Sequence, residues 1–365
     1  MFIKQLKLNG FRCYDAVELS FQRRINVFCG SNGVGKTSVL EAIYWLSTGK
    51  SFRSKRNKPL IQHQQTEFTV FSQLADEDEH ISHSLGISFN SKNKKQIKLN
   101  HSHINQQSEI AHLVPVVSID PDSYLFLDKP PQFRRSFLDW LVFHVKHEYL
   151  SVWSQTSRCQ KQLNALYKEK QHQQLGQWES QYLKYASQLN HLRSEVFTML
   201  EQRVHHYISR LIPELSDLVL TFFQGWNKDF SLEEVINRER EKNLMYGNLN
   251  SGIHKMDIKA KMHHSLAHDV LSRGQKKLIS ITFYLSFIDL LSEFASHLPV
   301  ICIDDMDAEL DGDKTKILCD FINQSPHQVF ITTVDHKRIT SQLSDVDVFH
   351  VKHDGVIQTA NGMTQ

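Results

Sequence analysis

The chain has 365 residues, 40% of them apolar, with 14 glycines and 8 prolines, which suits a globular protein of two domains or of one domain with a large insertion. Its formal net charge is only +2, so any nucleic-acid surface has to be a local patch rather than the whole molecule. Five cysteines (Cys13, Cys29, Cys159, Cys302, Cys319) form no C-x-x-C pair and sit mostly inside apolar runs, as reduced, buried thiols of a cytoplasmic protein do. The 21 histidines are scattered, and the close pairs His101/His103 and His263-His264 sit in polar segments without metal-ligand spacing.

Met1 to Leu8 alternates apolar and polar residues as an edge strand does, and lacks the unbroken apolar core of a signal peptide. A short apolar run then enters Gly30-Ser31-Asn32-Gly33-Val34-Gly35-Lys36-Thr37, and a helical run from Ser38 to Thr48 leaves it. G-x-x-x-x-G-K-[ST] between a strand and a helix is the pattern of a phosphate-binding loop. Its glycines let successive backbone N–H groups turn inward toward a polyphosphate, with the positive end of the helix behind them. Lys36 would reach the β- and γ-phosphates, and the Thr37 hydroxyl would hold Mg²⁺.

Further strands are expected at Phe68–Leu74, Ser84–Phe89 and Gln96–Leu99, with the acidic run Asp76 to Glu79 as a solvated hairpin tip. Asp120-Pro121-Asp122 and Pro130-Pro131 punctuate the exit from this region. From Gln132 to about residue 211 the pattern is helical, and Leu189, Leu192, Val196, Met199, Val204, Ile208 and Leu211 follow 3/4 spacing. A pair of long antiparallel helices, a stubby arm, is expected there. Residues 218–260 return to β-like character. A helix over about 273–295, a buried strand Val300–Ile303, a helix over about 312–323 and a strand Val329–Thr332 follow. The most apolar stretch, Ile279 to Phe294, is interrupted by Ser280, Thr282, Ser286 and Asp289 and is too polar to span a bilayer. A cytoplasmic protein without membrane attachment is expected.

Two carboxylates, Asp304 and Asp305, end the strand Val300–Ile303, where a parallel sheet presents side chains to a ligand crevice. Asp304 would hold the Mg²⁺ bound to Thr37, as a Walker B aspartate does, and Asp305 would orient or activate the attacking water. Lys36 and Asp305 are therefore the candidate catalytic residues.

Upstream, Leu271-Ser272-Arg273-Gly274-Gln275 resembles the L-S-G-G-Q signature of ATP-binding-cassette proteins. That resemblance implies that Ser272, Gly274 and Gln275 of one copy contact the γ-phosphate held by another. Asp307-Ala308-Glu309-Leu310-Asp311 resembles the D-loop, with Ala308 in place of a serine, and Thr332 to His336 occupies the position of a γ-phosphate-sensing switch. Lys36 and Ser272 lie too far apart for a transporter cassette, and the helical stretch between them is too short for the coiled coils of chromosome-condensing ATPases. The intermediate arm resembles that of the RecF family of bacterial recombination mediators. Further likenesses are Phe11-Arg12-Cys13-Tyr14 to F-R-N-Y, Glu41-Ala42-Ile43-Tyr44 with Gly49 to Arg53, and Arg134 to Trp140 to R-R-x-F-L-D-W. Gly252 to Asp257 resembles G-P-H-[KR]-x-D with Ile253 replacing the proline.

The resemblance implies an α/β fold: an ABC-type (Rad50-head-like) P-loop ATPase head formed from both chain ends, with a helical arm inserted. The corresponding boundaries are 1–130 and 251–365 for the two halves of the head and 131–250 for the arm and return. It implies an ATP- and Mg²⁺-dependent homodimer that binds single- and double-stranded DNA at gap junctions, works with RecR and RecO to load RecA, and supports SOS induction. A weak DNA-stimulated ATPase, used as a switch, is expected because Asp305 is one methylene shorter than the usual cassette glutamate. The candidate DNA contacts are Lys50, Arg53, Lys55, Arg56 and Lys58, with Lys92, Lys94, Lys95 and Lys98 as a second basic cluster. Arg134 and Arg135 open the arm and either touch DNA or pair with acids there. The rival readings are a cassette subunit of another machine, such as a transporter, and a binding module in which ATP is a structural ligand.

Overall fold

The run Ile25–Cys29 is buried at every position, the mark of a strand covered on both faces, and in the computed structural model it lies centrally in a seven-stranded sheet. The structure describes residues 1–76, 80–310, 312–352, 357–359 and 362–363. The sheet runs Gly362–Met363, Ile357–Thr359, Val346–Val351, Ile25–Cys29, Val329–Thr333, Val300–Ile303, Val116–Ile119. The last five strands are parallel and the first two close an antiparallel edge. Parallel neighbours so far apart in sequence mean that one sheet is woven from both ends of the chain.

Contacts divide the chain into two units, Met1–Tyr124 with Ala295–Gln365, and Leu125–Phe294. In the first, a six-stranded antiparallel sheet runs Tyr14–Ser20, Phe2–Phe11, Glu67–Ala75, Ile81–Asn90, Lys95–Leu99, Ser102–Ile104. Phe2–Phe11 is paired on both sides, so the expected edge strand is an interior one. Alternation reports only that one face meets water, which an inner strand of an antiparallel sheet shares with an edge. The inward residues Ile3, Leu6, Leu8, Phe68, Val70 and Ile87 pack in one core with Val39, Ile43 and Trp45 of the helix Lys36–Thr48. Phe21 meets Phe28, Phe330 and Phe349 edge-on, and the Gln328 amide pairs with the backbone N–H and C=O of Ile3 at 2.7 and 2.8 Å. These contacts bind the N-terminal and C-terminal segments into one head.

The second unit contains the helices Pro131–Val145, Tyr149–Glu169 and Leu175–Leu211, the latter two packed together as the expected helix pair. Leu189, Leu192, Val196, Val204 and Ile208 are buried in it, while Met199 and Leu211 are half-buried. Two helices, Leu232–Arg238 and Arg240–Tyr246, occupy the span read as β-like between the strands Leu218–Phe223 and Asp257–Met262. Ser231 and Glu234 form a reciprocal capping box at the start of the first, a signal present in the sequence. The helix Arg273–Phe294 is buried from Ile279 through Ile288, and its Ser280, Thr282 and Ser286 hydroxyls are satisfied by carbonyls of the preceding turn. Residues 251–294, expected within the C-terminal half of the head, group with the helices of this unit. Among the described residues no helix is long and apolar enough to cross a membrane.

Candidate functional site

The phosphate loop forms where the strand Ile25–Cys29 hands over to the helix Lys36–Thr48. Gly35 has φ +112°, and a Cβ there would lie 2.6 Å from Cys13 Sγ and 3.0 Å from the Tyr14 hydroxyl. Gly30 is closer still to its neighbour, since a Cβ would meet the Val351 carbonyl at 2.4 Å. Both positions admit only glycine, and Tyr14 Oη donates to the Gly35 carbonyl at 3.0 Å to hold the turn. Ser31, Asn32 and Gly33 are exposed at the loop's crest, whereas Val34 and Lys36 are buried. Lys36 Nζ donates to the carbonyls of Gly30 (2.8 Å) and Ser31 (3.0 Å), which keeps the ammonium inside the loop's curl.

Thr37 Oγ1 donates to Asp304 Oδ1 at 2.8 Å, and Thr332 Oγ1 donates to the same oxygen at 2.7 Å. Thr332 in turn accepts from the Asp305 N–H at 2.8 Å. Asp305 has φ +48°, a left-handed conformation that turns the chain sharply as the strand Val300–Ile303 ends. Burial raises the Asp304 carboxyl above its ordinary range against the two threonine hydroxyls, which favour the charged form. Burial and then the neighbouring Asp304 raise Asp305 likewise. The half-buried Thr37 hydroxyl and the buried Asp304 carboxylate, with a second raised carboxyl beside them, are hard oxygen donors of the kind a Mg²⁺ ion takes. Among the described residues no three or more acidic, histidine or cysteine side chains gather as a metal cluster.

These residues open on a cavity of about 550 Å³ lined by Asn32, Gly33, Gly35 to Ser38 and Asp305, and on its far side by Arg12, Cys13, Arg53, Pro59, Ile61 and His63. Of the far wall, Pro59, Ile61 and His63 belong to no motif, whereas Arg12, Cys13 and Arg53 come from the family-like segments. The wall is assembled by Arg12, whose guanidinium forks onto the fully buried Glu41 at 2.7 and 2.8 Å and onto the Pro59 carbonyl at 3.0 Å. Ser51 Oγ also donates to Glu41 while accepting from the N–H groups of Arg53 and Ser54. Three separated sequence motifs thus meet at one buried carboxylate. Lys50, Arg53, Lys55, Arg56 and Lys58 are all exposed as a DNA contact requires, but Arg53 also lines the phosphate-loop cavity, where its charge partly opposes the rise that burial causes in Asp304 and Asp305.

Ser272 is exposed at the start of the helix Arg273–Phe294 and forms a capping box with Gln275, accepting from its N–H at 3.2 Å and donating its own N–H to Oε1 at 2.9 Å. Gly274 follows in the first turn. Asp307 accepts from the N–H groups of Val334 and Asp335, which hold its carboxyl low in spite of burial. His336 sits edge-on to His350, ring centroids 5.2 Å apart, and His350 Nδ1 lies 3.1 Å from Cys29 Sγ. Asp311 and residues 77–79 of the acidic run lie outside the described residues, and nothing is placed for the side chain of Ala308. Arg134 is buried and pairs through two bonds with Asp257 (2.8 and 3.0 Å), and Arg135 donates to the Met256 carbonyl, so both face inward in the second unit.

Residues 2–358 match the model of the RecF/RecN/SMC N-terminal domain. The DNA replication and repair protein RecF of Stutzerimonas stutzeri is 32% identical over 363 residues, covering 98% of this chain and 98% of the relative. The solved structure of the recombination mediator protein RecF-ATPrS in the RecFOR pathway superposes with a TM-score of 0.84 at 22% identity over 98% of both chains. The Smc head domain from Pyrococcus furiosus gives a TM-score of 0.58 at 17% identity, covering 98% of this chain and 96% of that one. At these identities the two structures speak to the fold.

Proposed function

This chain belongs to the RecF family, within the RecF/RecN/SMC N-terminal domain group, and from that premise we propose that it is an ATP-dependent, DNA-binding recombination mediator in DNA replication and repair. The observation that carries the reading is the convergence of Thr37 and Thr332 on one oxygen of Asp304 beneath the phosphate loop. The backbone of Gly30 to Thr37 cradles the phosphates of ATP, and Lys36 turns from the loop carbonyls toward them. Thr37 and Asp304 would hold Mg²⁺, which would supply positive charge to offset that of the phosphates. Asp305, with its raised carboxyl, orients the attacking water, and its short side chain makes turnover slow.

Ser272, Gly274 and Gln275 of a second copy close over the γ-phosphate, so that ATP builds a homodimer and hydrolysis releases it. The exposed Ser272 at a helix N-terminus supports this, because its N–H groups and dipole favour an anion. The dimer binds single- and double-stranded DNA at gap junctions through the basic segment Lys50–Lys58, in the cytoplasm, and acts with RecR and RecO in loading RecA and supporting SOS induction. The test is fluorescence anisotropy of a labelled gapped duplex titrated in ATP and then in ADP. Tighter binding in ATP is expected; equal binding in both would remove the nucleotide from control of DNA.

A further inference from the structure

The helix Tyr149–Glu169 buries one stripe (Thr156, Cys159, Leu163, Leu166, Tyr167) and turns another to water. On the exposed side Trp153, Ser157 and Lys161 follow one another at four-residue steps, and Ser154, Arg158 and Gln162 form the adjacent row. These six side chains line an open groove of about 450 Å³. Trp153 is 42% exposed, whereas the other four tryptophans are buried or half-buried, and Leu150 beside it is 39% exposed. From Tyr149 to Lys168 the helix holds no acidic residue, and among the described residues neither Arg158 nor Lys161 forms an ion pair. An exposed indole is thus placed about 7.5 Å along the helix axis from a cation that no carboxylate neutralises.

We propose that this groove is a contact site for single-stranded DNA, with an unpaired base stacked on Trp153 and the backbone phosphates held by Arg158 and Lys161. The inference rests on the DNA-binding reading above and adds a second surface to it, remote in sequence from the phosphate loop. A single strand presents a bare base face and regularly spaced anions together, which is what the indole and the two cations accept. A duplex offers the phosphates but keeps its bases stacked on one another, so the tryptophan would have no partner. The Ser154 and Ser157 hydroxyls add neutral donors to phosphate oxygens.

The experiment is an anisotropy titration of labelled oligo-dT and of a labelled blunt duplex with the full-length protein, its Trp153→Ala variant and its Arg158→Gln/Lys161→Gln variant. All three positions face water, so folding is unaffected. Trp153→Ala is expected to weaken oligo-dT binding about tenfold and leave duplex binding unchanged. The double variant is expected to lower the salt slope for oligo-dT by about 0.7 per cation removed. Addition of oligo-dT should quench tryptophan emission in the unaltered protein and lose most of that quench in Trp153→Ala. Equal oligo-dT affinity with and without Trp153, in a protein that binds DNA, overturns this site and leaves the DNA-binding reading standing. An equal loss of duplex affinity overturns the single-strand assignment, and no DNA binding by the unaltered protein overturns both.

Discussion

Thr37 and Asp304 are 267 positions apart in the chain and 2.8 Å apart in space. One belongs to the loop-to-helix turn of the N-terminal segment and the other to the end of a strand contributed by the C-terminal segment. Thr332 reaches the same carboxylate oxygen from the neighbouring strand at 2.7 Å, so one helix and one strand hold a single aspartate at the end of another strand of the same sheet. The proposed nucleotide site therefore exists only when both ends of the chain are folded together.

Asp304→Asn keeps the shape of the side chain and an oxygen that accepts from both threonines, but removes the charge an ion would meet. We expect affinity for a fluorescent ATP analogue in Mg²⁺ to fall roughly 10- to 100-fold, the usual cost of disturbing a metal site. In EDTA the variant and the unaltered protein should bind alike. Equal affinity in Mg²⁺ would remove Asp304 from the ion site.

Asp305→Asn addresses hydrolysis separately. Asparagine tolerates the left-handed backbone at this position as well as aspartate does, so the turn is kept. We expect ATP binding to be retained and turnover to fall by about 10² or more, as for loss of a residue that positions the attacking water. The ATP-bound dimer of the proposed cycle should then outlive that of the unaltered protein in size-exclusion runs. Unchanged turnover would assign the water to another group.

Ser272 has two roles to separate, since it caps a helix in this structure and touches a second copy in the proposed dimer. Ser272→Asp preserves the cap, aspartate being as good an N-cap as serine, and places a negative charge against the γ-phosphate. Ser272→Arg removes the cap as well. We expect both to abolish ATP-induced dimerisation, measured by sedimentation, with only Ser272→Arg costing about 1 kcal/mol of stability. A dimer that persists in Ser272→Asp would refute closure in trans.

Legibility from sequence followed the locality of each signal. The phosphate loop was readable because eight consecutive residues carry its geometry, and Asp304 because a wholly apolar strand runs straight into two acids. Part of the cavity's far wall was not: Pro59, Ile61 and His63 come from the single 3-10 turn Lys58–Leu60 and the loop after it, too short for periodicity, drawn in by Arg12 and the bridge between Phe11 and Ile61. Glu41 was readable as part of a family pattern but not as the buried carboxylate that joins Arg12 to Ser51. The four-residue strand Val116–Ile119 was too short to show a period, although it closes the parallel sheet beside Val300–Ile303. Arg134 shows the opposite limit, because a basic pair at the head of a helix reads equally as a DNA contact or an internal ion pair until Asp257 is seen beside it.

That pair supports a stability test within the second unit. Arg134 and Asp257 are both buried and joined by two hydrogen bonds, so removing one partner leaves the other charged and uncompensated. We expect Arg134→Met to destabilise by about 3–5 kcal/mol in urea unfolding, and Arg134→Met with Asp257→Leu to recover most of the loss. A single variant as stable as the unaltered protein would show the pair to be dispensable.

His327 gives the first unit a pH dependence of definite sign. It is 2% exposed, and burial, followed by the charge of Arg24, pushes its imidazole down to about 4. In the unfolded chain a histidine titrates near 6.5. Because the folded value is the lower one, the unfolded state takes up the proton first as pH falls. The stability held by the neutral ring is therefore complete above about 6.5 and drains away between there and about 4, by roughly 1.4 kcal/mol per pH unit. Carboxylates titrate over the lower part of that window, so the informative quantity is a difference between two proteins. We expect His327→Gln, whatever its stability at neutral pH, to lose about 2 kcal/mol less than the unaltered chain between pH 7 and about pH 5. His254 of the second unit, lowered to about 4 by burial and then by Lys255, acts with the same sign and remains in both proteins, so it cancels from the comparison. Parallel stability curves for the two would mean that His327 is protonated inside the fold.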